Sequence, residues 1–153
     1  YHNRLFFSNM IEIVKNNLKG KVFDQVWTSP LSRASKLATY CGYPDALRDD
    51  RLMEINFGKW EMLSWLEISE DSHSKQWMEN WLSTTPPDGE SFQMQYERVA
   101  SFIEELKKND YQSVCVFAHG GVIACANVYA GNTIMAESFS QIPVYGAIVR
   151  FEV

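Results

Sequence analysis

Two short apolar runs, each passing almost at once into a helical pattern, constrain this chain more than any other feature. The first, Val22 to Trp27, ends in Thr28-Ser29-Pro30. From Leu31 onward Leu31, Ala34, Leu37, Ala38 and Cys41 recur at helical spacing, with Gly42 as stop and Pro44 beyond it. The second, Ser113 to Ala118, is a continuous apolar stretch of the kind buried on both faces of a sheet. His119-Gly120-Gly121 ends it, and Val122 to Tyr129 runs on as a helix with Gly131 as its stop. A strand feeding a helix is half of a βαβ unit, and repeated units build parallel sheets covered by helices. The expected fold class is α/β, a three-layer sandwich with a mostly parallel central sheet and helices on both faces.

The remaining segments fit around that frame. Phe6, Met10, Ile13, Val14 and Leu18 predict a one-sided helix over Leu5 to Leu18, and residues 43 to 60 read as an irregular surface excursion. Glu61 to Leu82 predicts two short helices around Asp71-Ser72-His73. Phe92, Tyr96, Val99, Phe102, Ile103 and Leu106 make the most regular amphipathic helix, closed by Lys107 and Lys108. Gly146 to Val153 alternates β-branched residues and predicts a closing edge strand. Residues 111 to 153 hold only three acidic or basic side chains, Glu137, Arg150 and Glu152, and read as core. At 153 residues and 46% hydrophobic content, one domain over 1–153 is expected.

With 14 basic and 19 acidic residues the formal charge is −5, so the chain as a whole is not drawn to nucleic acid or to an anionic membrane. A phosphate-bearing ligand has to be held by a few local cations. Cys41, Cys115 and Cys125 lack ligand or framework spacing, no run approaches a membrane span, and the N-terminus has no export signal. A cytoplasmic protein with reduced thiols is expected. The chain opens on Tyr1 inside a helical pattern, so the start of the gene product is expected upstream.

Ligands of open α/β sheets collect beyond the carboxyl ends of the strands, and unusual polar residues stand there twice. Ser29-Pro30-Leu31-Ser32-Arg33 follows the first strand. Arg33 falls in the first turn of a helix, where the dipole disfavours a cation, so it is either an anion ligand or a solvated surface arginine. His119 follows the second strand directly, and Gly120 and Gly121 let a ligand approach the backbone, which makes this histidine a catalytic or anion-binding candidate over a merely buried one. Glu54 sits between apolar neighbours in the irregular segment as a candidate general acid, against the simpler reading of a surface glutamate. Pro87-Asp88-Gly89-Glu90-Ser91 reads most simply as a turn and helix cap. His2 and His73 lie in polar surroundings. No metal-ligand spacing, phosphate loop, dinucleotide fingerprint or serine-hydrolase elbow is present.

Taken in order, SPLSRA (29–34), LMEINFGKWE (52–61), PDGES (87–91) and FAHGGVI (117–123) resemble the histidine phosphatase superfamily, the phosphoglycerate-mutase-like fold. Within it the chain looks most like the bacterial α-ribazole phosphatases. The resemblance implies a two-step phosphoryl transfer through a phosphohistidine, with no metal and no cofactor, on a small phosphorylated metabolite. Arg33 and His119 would hold the phosphoryl oxygens, and Glu54 would protonate the leaving oxygen and later activate water. Ser29, Gly120, Trp60, Glu90 and Ser91 would line the substrate, with Trp60, Trp65, Trp77 or Trp81 stacking on an aromatic leaving group, or else packing in the core or in a lid. The family's Arg-His-Gly motif, which carries the attacking histidine on the first strand, has no counterpart, and His2 lacks its flanking residues. The expectation is a sheet without its first strand and a phosphate pocket without its nucleophile. A broad-specificity phosphatase, a mutase and a non-catalytic phosphate-binding module are the alternatives.

Overall fold

The computed structural model describes residues 11–153. Its sheet has three parallel strands in the order β2-β1-β3: β1 (Gln25–Thr28), β2 (Leu47–Arg48) and β3 (Val114–Phe117). Trp27 pairs with Leu47 on one side and with Val116 on the other. The helices are α1 (described residues 11–18), α2 (Ser32–Tyr40), α3 (Trp65–Ser69), α4 (Ser74–Glu79), α5 (Phe92–Lys107), α6 (Gly120–Tyr129) and α7 (Met135–Ser138). The expected helix over Leu5 to Leu18 agrees from residue 11 onward, and its first residues lie outside the described ones, as does His2. No described helix is long and apolar enough to cross a membrane.

Side-chain alternation along β1 divides the core into two layers. Val26 points to one face, where Phe117, Val14 and Leu18 of α1 and Ala38 of α2 bury against it. Trp27 points to the other face, packing at 5.4 Å edge-on to Phe102 of α5 and against the cluster of Leu52, Ile55, Phe92, Val99, Val122 and Cys125. Helices therefore cover both faces of a parallel sheet. Burial of apolar surface at about 25 cal/mol per Å² drives this arrangement, and α5 presents the longest stripe to it.

Several expectations change. Asp24 is spent on a turn that accepts the Ser113 N–H at 3.0 Å, so β1 begins at Gln25 rather than Val22. The excursion over 43–60 contains the two-residue β2 and two single 3₁₀ turns, Asp50–Leu52 and Gly58–Trp60. β3 is not buried on both faces: it is an edge of the described sheet, and Val116 is 39% exposed. Residues 147–153 form no strand, because a strand needs a ladder partner and none of the described strands pairs with them. Most of the segment beyond α6, read as core from its few charges, is exposed, with Val144 at 82%.

Candidate active site

The two strand-to-helix junctions lie side by side because β1 and β3 pair, and the Ser29 N–H donates to the Phe117 carbonyl at 2.8 Å. At the first junction the Ser29 hydroxyl accepts the Leu31 N–H at 3.2 Å, which bends the chain into α2 and puts Arg33 in its first turn. At the second, His119 occupies the cap position of α6 in an extended conformation, with its ring free of any capping bond. Arg33 Nε donates to His119 Nδ1 at 3.3 Å, and His119 Nε2 lies 2.8 Å from Ser29 Oγ. Since the guanidinium can only donate, Nδ1 carries no proton and Nε2–H donates to the serine. Burial holds the His119 pKa below its ordinary value; the Glu54 charge opposes this, and Arg33 and Arg98 reinforce it. The imidazole is 7% exposed and neutral. Among the described residues the two Nη groups of Arg33 take no hydrogen bond.

Glu54 reaches the same place from the excursion after β2. Its Oε1 accepts the Ile55 N–H at 2.9 Å and Gln95 Nε2 at 3.2 Å, and its Oε2 accepts the Gly121 N–H at 3.3 Å. A carboxylate thereby satisfies an N-terminal N–H of α6, two residues from His119. The approach requires glycine: a Cβ on residue 121 would stand 2.3 Å from Glu54 Oε1. A Cβ on Gly120 would meet only the Ile142 side chain, at 2.9 Å.

The backbone that carries Glu54 is held from below. Arg98 of α5 donates to the Arg51 carbonyl at 2.7 Å and to the Glu54 carbonyl at 3.3 Å, and it grips both oxygens of Glu90 at 2.6 and 3.1 Å. Glu90 Oε1 also accepts the Asn56 N–H at 3.0 Å, while Ser91 caps α5 by accepting the Met94 N–H. Glu90 and Ser91 thus spend these oxygens within the protein. The two loops interlock at glycines. Gly58 has φ +57°, and a Cβ there would fall 2.1 Å from the Pro87 carbonyl; one on Gly89 would fall 2.6 Å from the Asn56 carbonyl.

Trp60 is 2% exposed, which overturns its expected place against the substrate. Its indole N–H donates to Asp71 at 3.1 Å and its ring meets Trp77 edge-on, so no open face remains. The Asp71 carboxyl lies below the usual range, chiefly through the His73 N–H and then through Trp60. Trp65 stacks on Trp77 and is 65% exposed, and Trp81 packs with Phe92 and Phe139. The three cysteines are free, and burial pushes the Cys125 thiol up to about 12. Among the described residues no three His, Cys, Asp or Glu side chains gather as metal ligands.

Arg98 and Gln95 did not stand out in the sequence as parts of the site, and Gly121, read there as room for a ligand, instead makes room for Glu54 and Gln95. Gln95 had a legible signal: it interrupts the apolar stripe of α5 between Phe92 and Val99 and is fully buried.

A guanidinium, an imidazole, a serine and a carboxylate stand together beyond the carboxyl ends of paired parallel strands, the place where ligands of open α/β sheets collect. The sequence pattern of the histidine phosphatase superfamily (branch 1) matches residues 9–150, and the chain belongs to that superfamily. It is similar to the adenosylcobalamin/alpha-ribazole phosphatase of Escherichia coli, 34% identical over 113 residues that cover 70% of this chain and 56% of that one. It is also similar to phosphoserine phosphatase 1 of Hydrogenobacter thermophilus, 27% identical over 114 residues, 71% of this chain and 54% of that one. The crystal structure of the alpha-ribazole phosphatase from Shigella flexneri superposes with a TM-score of 0.80 at 24% identity, covering 90% of this chain and 71% of that chain, and so shares the fold. The chain spans about half the length of the curated relatives it matches.

Proposed function

We propose that these residues form the phosphate-binding and proton-donating part of a phosphomonoester hydrolase acting through a phosphohistidine. The observation that carries the reading is the Arg33–His119–Ser29 chain of hydrogen bonds, with the Glu54 carboxylate on the N–H of Gly121, two residues after His119 at the start of α6. In this reading the Nη edge of Arg33 and the imidazole donor bind phosphoryl oxygens and stabilise the charge that builds on them in the transition state. Glu54 gives a proton to the departing oxygen, and in the second step it takes one from the water that attacks the phosphohistidine. The 153 residues contain no Arg-His-Gly triplet, so binding is tested on this chain and transfer on the full gene product.

The substrate we propose is α-ribazole 5′-phosphate, supported by the similarity to the adenosylcobalamin/alpha-ribazole phosphatase of Escherichia coli; the phosphoserine phosphatase among the relatives marks the main competitor. The free thiols suit a reducing compartment such as the cytoplasm. Titration of the chain with inorganic phosphate, followed by ³¹P NMR, tests the pocket: Arg33→Ala is expected to abolish binding. Phosphate release from α-ribazole 5′-phosphate and from phosphoserine by the full gene product tests the reaction. Binding without turnover of either ester would replace the enzyme with a phosphate-binding module.

A further inference from the structure

We propose that Gln95 is a positioning residue for Glu54, saturating one carboxylate oxygen so that the other is left to carry the proton. The inference rests on the reading of Glu54 as the proton donor. Gln95 is fully buried on the apolar face of α5, where neighbouring stripe positions hold Phe92, Val99 and Phe102. Its Nε2 donates to Glu54 Oε1, yet its Oε1 is buried with no hydrogen-bond partner among the described residues. An orphaned buried carbonyl is costly, and a Leu or Met of similar size would fill the position without it. Packing alone therefore gives no reason for an amide, whereas the charge-assisted bond to a carboxylate does.

The geometry also says which oxygen is held. Glu54 Oε1 has two donors, Ile55 N–H and Gln95 Nε2, at 2.9 and 3.2 Å, while Oε2 has the single Gly121 N–H at 3.3 Å. The bare Cα of Gly121 lets the amide and carboxylate lie together, since a Cβ there would stand 2.8 Å from Gln95 Nε2 and 2.3 Å from Glu54 Oε1. Other groups facing Glu54 are His119 from the end of β3, Arg98 from α5 and the Cys125 thiol from α6. None of them has a hydrogen bond to the carboxylate oxygens.

The test follows the Gly121 amide cross-peak of the uniformly ¹⁵N-labelled chain as pH is varied, in the wild type, Gln95→Met and Glu54→Gln. Glu54→Gln removes the transition due to Glu54 and leaves that of His119. In Gln95→Met the midpoint read at the Gly121 amide is expected to move to higher pH, because the carboxylate that the amide bonds loses a donor. An unchanged midpoint overturns the proposal. Should Gln95→Met fail to fold, the wild-type Gln95 side-chain amide decides: its protons should titrate with the Gly121 amide and stop doing so in Glu54→Gln, and failure to titrate overturns the proposal equally. In the full gene product Gln95→Met should lower kcat about tenfold with KM unchanged. If the midpoint moves while the wild type hydrolyses no phosphomonoester, the assignment of function fails and the positioning of Glu54 stands.

Discussion

Removing Arg98 should cost this protein more stability than removing any surface ion pair, and most of the loss should trace to the glutamate left behind. The Arg98–Glu90 pair is largely sheltered, with side chains 21% and 14% exposed, and the guanidinium also satisfies the carbonyls of Arg51 and Glu54. Arg98→Met leaves Glu90 with the Asn56 N–H as its remaining described partner and strips a donor from both carbonyls. Breaking a buried pair from one side costs about 3–5 kcal/mol, which for a chain of this size is a fall in Tm of roughly 6–20 °C. The double variant Arg98→Met/Glu90→Gln removes the stranded charge and should recover about 1.5–2.5 kcal/mol of that loss. Urea unfolding read by fluorescence is suitable, because the five tryptophans include Trp27 and Trp60 in the core. Equal stability of the single and double variants would refute the clamp, as would a Glu90→Gln variant that unfolds at wild-type urea concentration.

Three further outcomes follow from the same geometry. Gly121→Ala gains about 0.5–1 kcal/mol of helix propensity and loses about 1–3 kcal/mol to the clash with Glu54, so urea unfolding should show only a small net loss. On the role proposed for Glu54, phosphate release by the full gene product should nevertheless fall by about 100-fold or more, because the carboxylate is displaced; wild-type turnover would show that Glu54 does not act there. His119, with its pKa lowered by burial, binds a proton more readily unfolded than folded. Its contribution to stability is thus present above about pH 6.5 and lost as pH falls through the lower folded value; His119→Gln should flatten that slope in urea midpoints, and a slope unchanged by the substitution contradicts the buried neutral ring. Trp60→Phe should cost about 1 kcal/mol through the lost bond to Asp71, and Trp65→Ala should stay within about 0.5 kcal/mol, both by the same denaturation assay. The reverse order would place Trp60, not Trp65, at the surface.

The parts legible in the sequence were those set by local pattern. The Val22–Trp27 and Ser113–Ala118 runs became β1 and β3 within a few residues, and α5 runs from Phe92 to Lys107 as its apolar stripe requires. Arg33 and His119 could be paired in advance because parallel strands bring their carboxyl ends together. What failed depended on partners distant in sequence. The alternating residues of 147–153 have strand character but no neighbour to bond, and the charge-poor segment beyond α6 is uncharged without being enclosed. Trp60 could not be separated from the other tryptophans by spacing, since its burial is decided by Trp77 and Asp71 from the following helices. Arg98 was hidden by its own surroundings: on a helix flank beside a charged neighbour, an arginine looks solvated until a second loop supplies Glu90.

The interlock of Gly58 with Gly89 makes the stretch between them a detour that leaves and returns at one point. The tryptophan-rich helices α3 and α4 lie within that stretch, while Glu54 and Arg98, bonded to each other, lie before and after it in the chain. Closing a loop costs little more as it lengthens, about 0.6 kcal/mol per doubling. The detour is therefore an exchangeable cassette: its length and aromatic content can change at little cost in closure entropy without moving the backbone that carries Glu54.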